Sequence, residues 1–318
     1  MKHKASITII LLSMFLVAQF IGLFVVNAYA PESQTIINPE TGIQEIMMTE
    51  GSLPFGLQSS VDEKPGLGSI LFSFLMAFAL IFILMKYKWK AVIKIWFIFV
   101  ISLALGLAIY AILKYTPLPN ISIVALAIAI PLALIKIFWR NFYVHNLTEL
   151  LIYPGIAAVF VPILNTTSVI ILLIIISLYD AWAVWKSGIM QKMAKFQMDE
   201  LKIFGGFMVP KMSDKVRAQI KKIKVKYKNK EMPKKIKEKK FKISMAILGG
   251  GDVIFPIITA GVFMQAFNII PALFVIFGAL GGLSSIFLFS HKGKAYPAMP
   301  YITTGIFIGL IIWKILPL

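Results

Sequence analysis

The chain contains no cysteine and only three histidines among its 318 residues. The absence of cysteine excludes disulfides, thiol nucleophiles and thiolate metal sites. The histidines, His3, His145 and His291, are scattered without a His-Glu-x-x-His pattern, so we expect no metal and no other cofactor. Charged residues make up only 14% of the chain, whereas soluble domains carry about 25%. An ordinary soluble domain is therefore excluded.

Hydrophobic residues make up 59% of the sequence and gather in runs of about 20, the length that crosses a bilayer as a helix. We predict an all-α polytopic protein of the cell membrane with nine transmembrane helices. The predicted spans are Ala5–Val26, Leu67–Met85, Ala91–Leu113, Ile121–Phe138, Leu147–Leu164, Ser168–Trp185, Ile243–Phe267, Ile269–Phe289 and Pro297–Leu316. Residues 1–318 are interpreted as one membrane domain, with spans 1–6 in residues 1–185 and spans 7–9 in residues 243–318.

The end of the first span contains Ala28-Tyr29-Ala30, a pattern typical of a signal-peptidase site. Two features oppose cleavage there. The apolar run exceeds the roughly 7–15 residues of a signal sequence, and Pro31 directly follows the cleavage position. We therefore expect span 1 to be a retained helix.

The basic residues are distributed unevenly between the two sides of the predicted spans. With the N-terminus in the cytoplasm, 29 of the 32 Lys and Arg residues fall on the cytoplasmic side, and only Lys64, Lys114 and Lys314 fall outside. The positive-inside rule thus predicts a cytoplasmic N-terminus and an extracytoplasmic C-terminus. Residues 31–66 become an acidic external loop, and residues 186–242 a basic cytoplasmic loop. The net charge of +18 is explained by this topology, and we expect no nucleic-acid partner.

Two acidic residues lie well inside the predicted spans, Asp180 in span 6 and Asp252 in span 7. A carboxylate at that depth costs several kcal/mol unless it is paired, protonated or hydrated, so we expect a function for both. At about 1.5 Å per residue they lie roughly 9 Å and 15 Å from the cytoplasmic ends of their spans. Two consecutive antiparallel helices can therefore bring them face to face in the cytoplasmic half of the membrane. Glu149, near the cytoplasmic start of span 5, is expected to reach the interface.

Two carboxyl groups in contact at low dielectric cannot both ionise and instead share one proton. Such a pair can hydrolyse an amide, because one group takes a proton from water while the other donates to the carbonyl oxygen. Gly249, Gly250 and Gly251 precede Asp252 and permit close approach of a backbone or substrate, although a helix-packing face is the alternative. A proton relay in a transporter would use the same two acids, and a catalytically silent membrane scaffold is a third interpretation.

Three motifs occur in order along the chain. Tyr179-Asp180 lies in span 6, Gly249-Gly250-Gly251-Asp252 lies in span 7, and Pro297-Ala298-Met299-Pro300 opens span 9. Together with the nine spans and the long cytoplasmic loop they resemble the presenilin and signal peptide peptidase family of intramembrane aspartyl proteases, most closely its archaeal presenilin-type members. That family has Tyr-Asp, Gly-x-Gly-Asp and Pro-Ala-Leu at these places. Met299 replaces the leucine, a mild change in volume.

The resemblance covers essentially the whole chain and implies a presenilin-like fold. It implies an aspartic endopeptidase that cleaves within transmembrane segments, with Asp180 and Asp252 as the catalytic pair. Tyr179, the three glycines and Pro297–Pro300 would shape the active site. The expected partners are the lipid bilayer and single-span membrane proteins or signal peptides as substrates, and a homo-oligomer is left open. Pro271-Ala272-Leu273 also spells the family motif, but we reject it because it lies early in span 8, at the end far from the depth of the two acids.

The cytoplasmic loop has two parts. Residues 189–204 mix apolar residues with lysines and indicate an amphipathic extension of span 6 at the membrane surface. The lysine-rich residues 211–242 are expected near anionic lipid, and a plain solvated loop is an equal alternative. The resemblance adds that this region gates substrate entry and that Lys240–Ser244 pairs with an extended substrate. Elsewhere, Gly282-Leu283-Ser284-Ser285 has a faint likeness to a serine protease motif and is interpreted as small-residue packing.

Overall fold

The computed structural model describes residues 5–37, 44–49, 53–55, 66–87, 89–139, 141–187, 204–211, 223, 244–289 and 296–316. Within these ranges the chain is mostly helical, as the sequence predicts. Its nine α-helices there are α1 (Ala5–Ala28), α2 (Leu67–Lys86), α3 (Lys90–Leu113), α4 (Ile121–Phe138), α5 (Phe142–Phe160), α6 (Thr166–Trp182), α7 (Gly250–Ala266), α8 (Ile269–Phe289) and α9 (Met299–Ile315). Helix α6 continues as a π-helical turn, Ala183–Ser187.

Five of these helices are long and apolar enough to cross a membrane: α1, α3, α4, α6 with its π-helical turn, and α8. The apolar stretches of α2, α7 and α9 are shorter. Large apolar side chains such as Phe72, Ile95 and Ile123 are exposed on the outer faces of their helices. This is the reverse of a soluble protein and the arrangement that contact with lipid requires. The chain is therefore a multi-pass membrane protein.

Four short strands lie among the described residues, although the sequence predicted only helices and loops. Strands β1 (Glu32–Ile37) and β2 (Gln44–Thr49) form one antiparallel pair within the predicted acidic loop. Strands β3 (Gly206–Lys211) and β4 (Ser244–Gly249) form another, with Gly206 opposite Gly249. The second pair matters for function because β4 leads directly into α7.

The prediction for span 7, Ile243–Phe267, is wrong in its first part. Residues 244–249 form β4, and the helix begins only at Gly250. Glycine loses more backbone entropy in a helix than any other residue, so three successive glycines oppose a helix that runs through them. Strand β3 supplies the hydrogen-bond partners that residues 244–249 would otherwise lack. As a consequence, Asp252 lies in the first turn of a helix and not in the interior of one.

The helices approach one another most closely where glycines remove the side chain. Helix α1 packs against α3, α5, α7 and α8, and the most extensive helix pair is α8 with α9. Gly278 and Gly282 of α8 face Gly305 and Gly309 of α9, two Gly-x-x-x-Gly patterns that we call the glycine seam. Backbone atoms of the opposite helix fill the space that a Cβ would take at each of the four. The predicted small-residue packing at Gly282 is confirmed.

Parts of the predicted cytoplasmic loop lie outside the described residues. These are residues 189–203 of the predicted amphipathic extension, most of the lysine-rich stretch 211–242, and residues 240–243 of the predicted substrate-pairing segment. The parts of the loop region that bear on the site are therefore β3 and β4.

Candidate active site

Asp180 lies in the last turn of α6 and is buried, with 7% of its surface exposed. Its Oδ2 accepts a hydrogen bond from the backbone N–H of Met299 at 3.0 Å, and the backbone N–H of Ala298 also contributes. These N–H groups belong to the start of α9, where a helix has unpaired donors and a partial positive charge. The Pro297–Pro300 motif therefore meets Asp180 through its backbone.

Asp252 is the third residue of α7, whose N-cap is Gly249. Its carboxyl group folds back towards Gly249 and interacts with the backbone N–H of that residue. An acidic side chain at this position that returns to the N-cap amide forms half of a capping box, and the helix dipole favours negative charge there. Both acids thus lie at a helix N-terminus: Asp252 at that of its own helix, Asp180 at that of α9.

Asp180 lies at the end of α6 and Asp252 at the start of α7, and these two helices pack against each other, which places the two acids near enough for their charges to influence each other. The sequence predicted from depth alone that the two acids meet; the structure places Asp252 in the first turn of α7, a different local conformation from the predicted one. Within the ranges that the structure describes, no three His, Asp or Glu side chains come together as a metal site.

The three glycines before Asp252 have unequal surroundings. A Cβ at Gly249 would lie 3.1 Å from Oδ2 of Asp252, and one at Gly250 would lie 3.2 Å from the ring of Tyr153. A Cβ at Gly251 would meet only an ordinary contact, 3.7 Å from Phe255. A side chain at either of the first two positions would therefore fit tightly, against the carboxyl group of Asp252 at Gly249 and against a tyrosine of α5 at Gly250.

The remaining predicted residues differ in their surroundings. Pro297 and Met299 are buried, whereas Ala298 and Pro300 are partly buried. The ring of Tyr179 is 46% exposed and lies beside Trp182, with 6.2 Å between the ring centroids. The structure thus connects the start of α9 with Asp180 directly, while a role for Tyr179 at the site stays a prediction.

Sequence reasoning missed two buried polar contacts next to the acids. Gln19 of α1 is fully buried and donates from Nε2 to the carbonyl oxygen of Val253 at 3.1 Å. Ser177, about one turn before Asp180, donates to Oγ1 of Thr303 at 2.7 Å and so joins α6 to α9. The available signal was a polar side chain in an apolar run, since Gln19 is the one amide side chain between Ala5 and Val26.

The expectation for Glu149 is wrong. It does not reach the interface but is buried in an ion pair with Lys136, with 2.7 Å between Nζ and Oε1 and with only 4% and 2% of the side chains exposed. Lys136 also lies 3.3 Å from Nδ1 of His145 and 3.3 Å from Oγ1 of Thr148. A cation from the neighbouring helix α4 thus compensates a carboxylate that the helix geometry turns inward.

The chain matches known proteins in two comparisons, one with a family model and one with solved structures. The family model described as signal-peptide peptidase, presenilin aspartyl protease matches residues 43–316. Two solved structures, each of a presenilin family intramembrane aspartate protease, in space groups C222 and P2, share 19% sequence identity with the chain. They match 96% of this chain and 97% and 96% of their own, with TM-scores of 0.57 and 0.56, a likeness of fold. No curated protein sequence matches significantly.

Proposed function

The chain belongs to the signal-peptide peptidase and presenilin family of aspartyl proteases, and from this premise we propose that it is an intramembrane aspartic endopeptidase with Asp180 and Asp252 as its catalytic pair. The observation that carries the proposal is the position of the two acids, Asp180 at the end of α6 and Asp252 at the start of α7, where the two helices pack against each other. The alternative of a proton-coupled transporter is not favoured, because the family and the structural relatives are proteases.

In the proposed reaction the two carboxyl groups share one proton. The ionised group takes a proton from a water molecule as the water attacks the amide carbonyl, and the protonated group donates to the carbonyl oxygen. The product is a tetrahedral gem-diol. The two groups then exchange roles, and one protonates the leaving amine. No covalent intermediate forms, which suits a chain without cysteine.

The backbone amides at the two helix N-termini support this exchange of charge. Met299 donates to Asp180, and the amide of Gly249 lies against Asp252. Donors that are already oriented need no rearrangement when negative charge moves from one carboxyl group to the other. We propose that Gly249, Gly250 and Gly251 and the Pro297–Pro300 motif shape the site in this way, and that Tyr179 borders it.

The proposed enzyme is one membrane domain of residues 1–318 with nine spans, a cytoplasmic N-terminus and the site in the cytoplasmic half of the bilayer. Its family acts on transmembrane segments. An amide within an intact helix is shielded by helical hydrogen bonds, so a substrate must unwind locally before water can attack it. Single-span membrane proteins and signal peptides are the proposed substrates.

Strand β4 offers an edge to such an unwound substrate. Met208 turns its backbone N–H and C=O towards α5, so its neighbours in β3 turn theirs towards β4. By the same alternation, Met245 and Ile247 carry their backbone groups on the opposite edge of β4. We propose that an extended substrate adds to this edge as a further strand, which would lead it towards Asp252.

A cleavage assay tests the proposal. The purified protein is incubated with a labelled single-span substrate, beside the Asp180→Asn and Asp252→Asn variants. We expect cleavage by the wild type and a loss of at least about a thousandfold in each variant, because the two groups act as one unit. Cleavage that survives either substitution contradicts the assignment of the pair. No cleavage of any substrate, together with acid-dependent solute uptake into vesicles, would favour the transporter.

A further inference from the structure

Asn146 of α5 binds the backbone of Met208 both as a hydrogen-bond donor and as an acceptor. Its Nδ2 donates to the Met208 carbonyl oxygen at 2.8 Å, and its Oδ1 accepts from the Met208 N–H at 3.0 Å. Only 7% of Asn146 is exposed. A side-chain amide carries the same donor and acceptor as a peptide group, so this pair of bonds reproduces what a neighbouring strand would make. Asn146 therefore takes the place of a third strand beside β3.

His145 makes the adjacent contact on the same edge. Its Nε2 lies 2.8 Å from the carbonyl oxygen of Gly206, two residues before Met208. For Nε2 to donate to that carbonyl, the neutral ring must accept at Nδ1, and Nζ of Lys136 lies 3.3 Å from Nδ1 as the donor. The buried ion pair with Glu149 holds Lys136 in place. We call His145 and Asn146, supported by Lys136 and Glu149, the α5 clamp.

The α5 clamp acts on the strands that lead to Asp252. The residues it binds, Gly206 and Met208, pair with Gly249 and Ile247 of β4. Gly249 is the N-cap of α7, three residues before Asp252. The first turn of α7 and the clamped edge of β3 are thus separated by a single strand.

Tyr153 extends the same face of α5 towards α7. It follows Asn146 by seven residues, about two helical turns, and is buried. Its ring packs edge-on against Phe207 of β3, with 5.4 Å between the centroids, and lies over Gly250. One face of α5 therefore contacts both β3 and the first turn of α7.

A sheet of two short strands needs such support. An isolated two-stranded pair is marginally stable in water. Here residues 212–243 separate the strands, so closing the connection between them carries a further entropic cost. Without partners on α5, the pair would be open for part of the time.

We propose that Asn146 and His145 are positioning residues, which hold the β3–β4 sheet assembled before a substrate binds and so fix the turn from Gly249 to Asp252. The kinetic part of this inference rests on the proposed protease function. The structural part does not, because assembly of the sheet can be measured in a protein that cleaves nothing.

The rate at which an introduced cysteine pair forms a disulfide reports directly on assembly of the β3–β4 sheet, since the chain has no cysteine of its own. Met208 and Ile247 face each other as a pair that is not hydrogen-bonded, the closer kind of antiparallel pair and one that a disulfide can span. We expect Met208→Cys/Ile247→Cys to form a disulfide without substrate. Adding Asn146→Leu should slow its formation by about tenfold or more, since isolated strand pairs are marginal.

Asn141→Leu is the matched control. Asn141 caps the same helix by accepting from the Tyr143 N–H, and among the described residues no hydrogen bond joins its side chain to β3. Losing this cap costs about 1 kcal/mol of stability, so the control reproduces a general weakening of α5. We expect it to leave the rate of disulfide formation unchanged. Equal rates of disulfide formation in the cysteine-pair variant with and without Asn146→Leu, or equal slowing by Asn146→Leu and Asn141→Leu, would overturn the proposal.

Cleavage provides the second measurement. Asn146→Leu should lower kcat/KM by about tenfold to a hundredfold, because it misplaces a catalytic group. Forming the disulfide in the Asn146→Leu variant that carries the cysteine pair should restore most of the lost kcat/KM. A disulfide that forms without restoring cleavage would overturn the proposal. If Asn146→Leu does not fold, Asn146→Asp replaces it, keeps the acceptor for the Met208 N–H and should give an intermediate loss. A wild type that cleaves nothing refutes the protease function and leaves the cross-linking test of the clamp intact.

Discussion

The two aspartates depend on two differently built halves of the site. The Asp180 half consists of α6, α8 and α9, where α9 packs on α8 through the glycine seam and Met299 donates its backbone N–H to Asp180. The Asp252 half consists of α5, β3, β4 and α7 together with Lys136 of α4, and polar side chains of α5 hold the strand that pairs with β4. The helix N-terminus beside Asp180 comes from a distant part of the chain, whereas that of Asp252 is its own.

This difference in construction predicts which amino-acid substitutions should disturb each half of the site. Close backbone packing tolerates little added volume but contains few polar groups, so the Asp180 half should be sensitive to side-chain size. The Asp252 half depends on buried hydrogen bonds and an ion pair, so it should be sensitive to the loss of a single polar partner. The two halves should nevertheless behave as one unit in catalysis.

The largest expected effect tests whether the two aspartates act as one catalytic unit. The double variant Asp180→Asn/Asp252→Asn should cleave within about twofold of the slower single variant, after a loss of a thousandfold or more in each, because groups that act together are not additive. Single-turnover cleavage of a labelled substrate measures this. Losses that multiply in the double variant would show that the two acids act independently.

Next in size is the ion pair of the Asp252 half. Lys136→Met leaves the Glu149 carboxylate buried without its cation and should lower the free energy of unfolding by about 3–5 kcal/mol. Lys136→Met/Glu149→Gln removes both charges and should recover much of the loss. Denaturant unfolding in detergent compares the variants, and a double variant no more stable than the single one would argue against a buried pair.

The Asp180 half is tested by volume in the glycine seam. At Gly282 a Cβ would meet the backbone of Tyr301 in α9, whereas at the neighbouring Gly281 it would meet nothing within 4 Å. Gly282→Val should therefore cost about 1–3 kcal/mol of stability and weaken cleavage by shifting α9, while Gly281→Val should do neither. Thermal unfolding and cleavage assays compare the two variants. Equal effects of the two substitutions would contradict this prediction.

The smallest effect is expected at the hydrogen bond that joins α6 to α9. Removing the hydroxyl in Ser177→Ala should cost only about 0.6 kcal/mol, the average for such bonds between membrane helices. A double-mutant cycle with Thr303→Val isolates the coupling between the two side chains. Strict additivity in the cycle would mean that the bond contributes nothing.

The sequence indicated the helices and singled out the two acids as candidates because both signals are local. An apolar run of about 20 residues is visible at any position, and a carboxylate within one is conspicuous. The pairing of β3 with β4 could not be predicted, since it joins segments separated by residues 212–243, and residues 244–249 look like the start of an apolar helix. The resemblance located Met299 near the site, but it did not indicate that a backbone N–H makes the contact with Asp180.

Glu149 shows a second limit of local reasoning. Its distance from the end of span 5 allowed the side chain to reach the interface, yet the structure turns it inward to Lys136 on another helix. Which face of α5 points inward depends on how α4 and α5 pack, and that is a tertiary property. The α5 clamp was missed for the same reason, because Asn146 and Met208 are distant in sequence.

Binding of a transition-state analogue tests most directly whether both halves supply one catalytic pair. A peptide analogue with a hydroxyl-bearing carbon in place of the scissile amide mimics the gem-diol, and its affinity can be measured without turnover. We predict tight binding to the wild type and a loss of at least about a hundredfold in both Asp180→Asn and Asp252→Asn. Undiminished affinity in either variant would contradict the account, because one half of the site would then bind the analogue without the other.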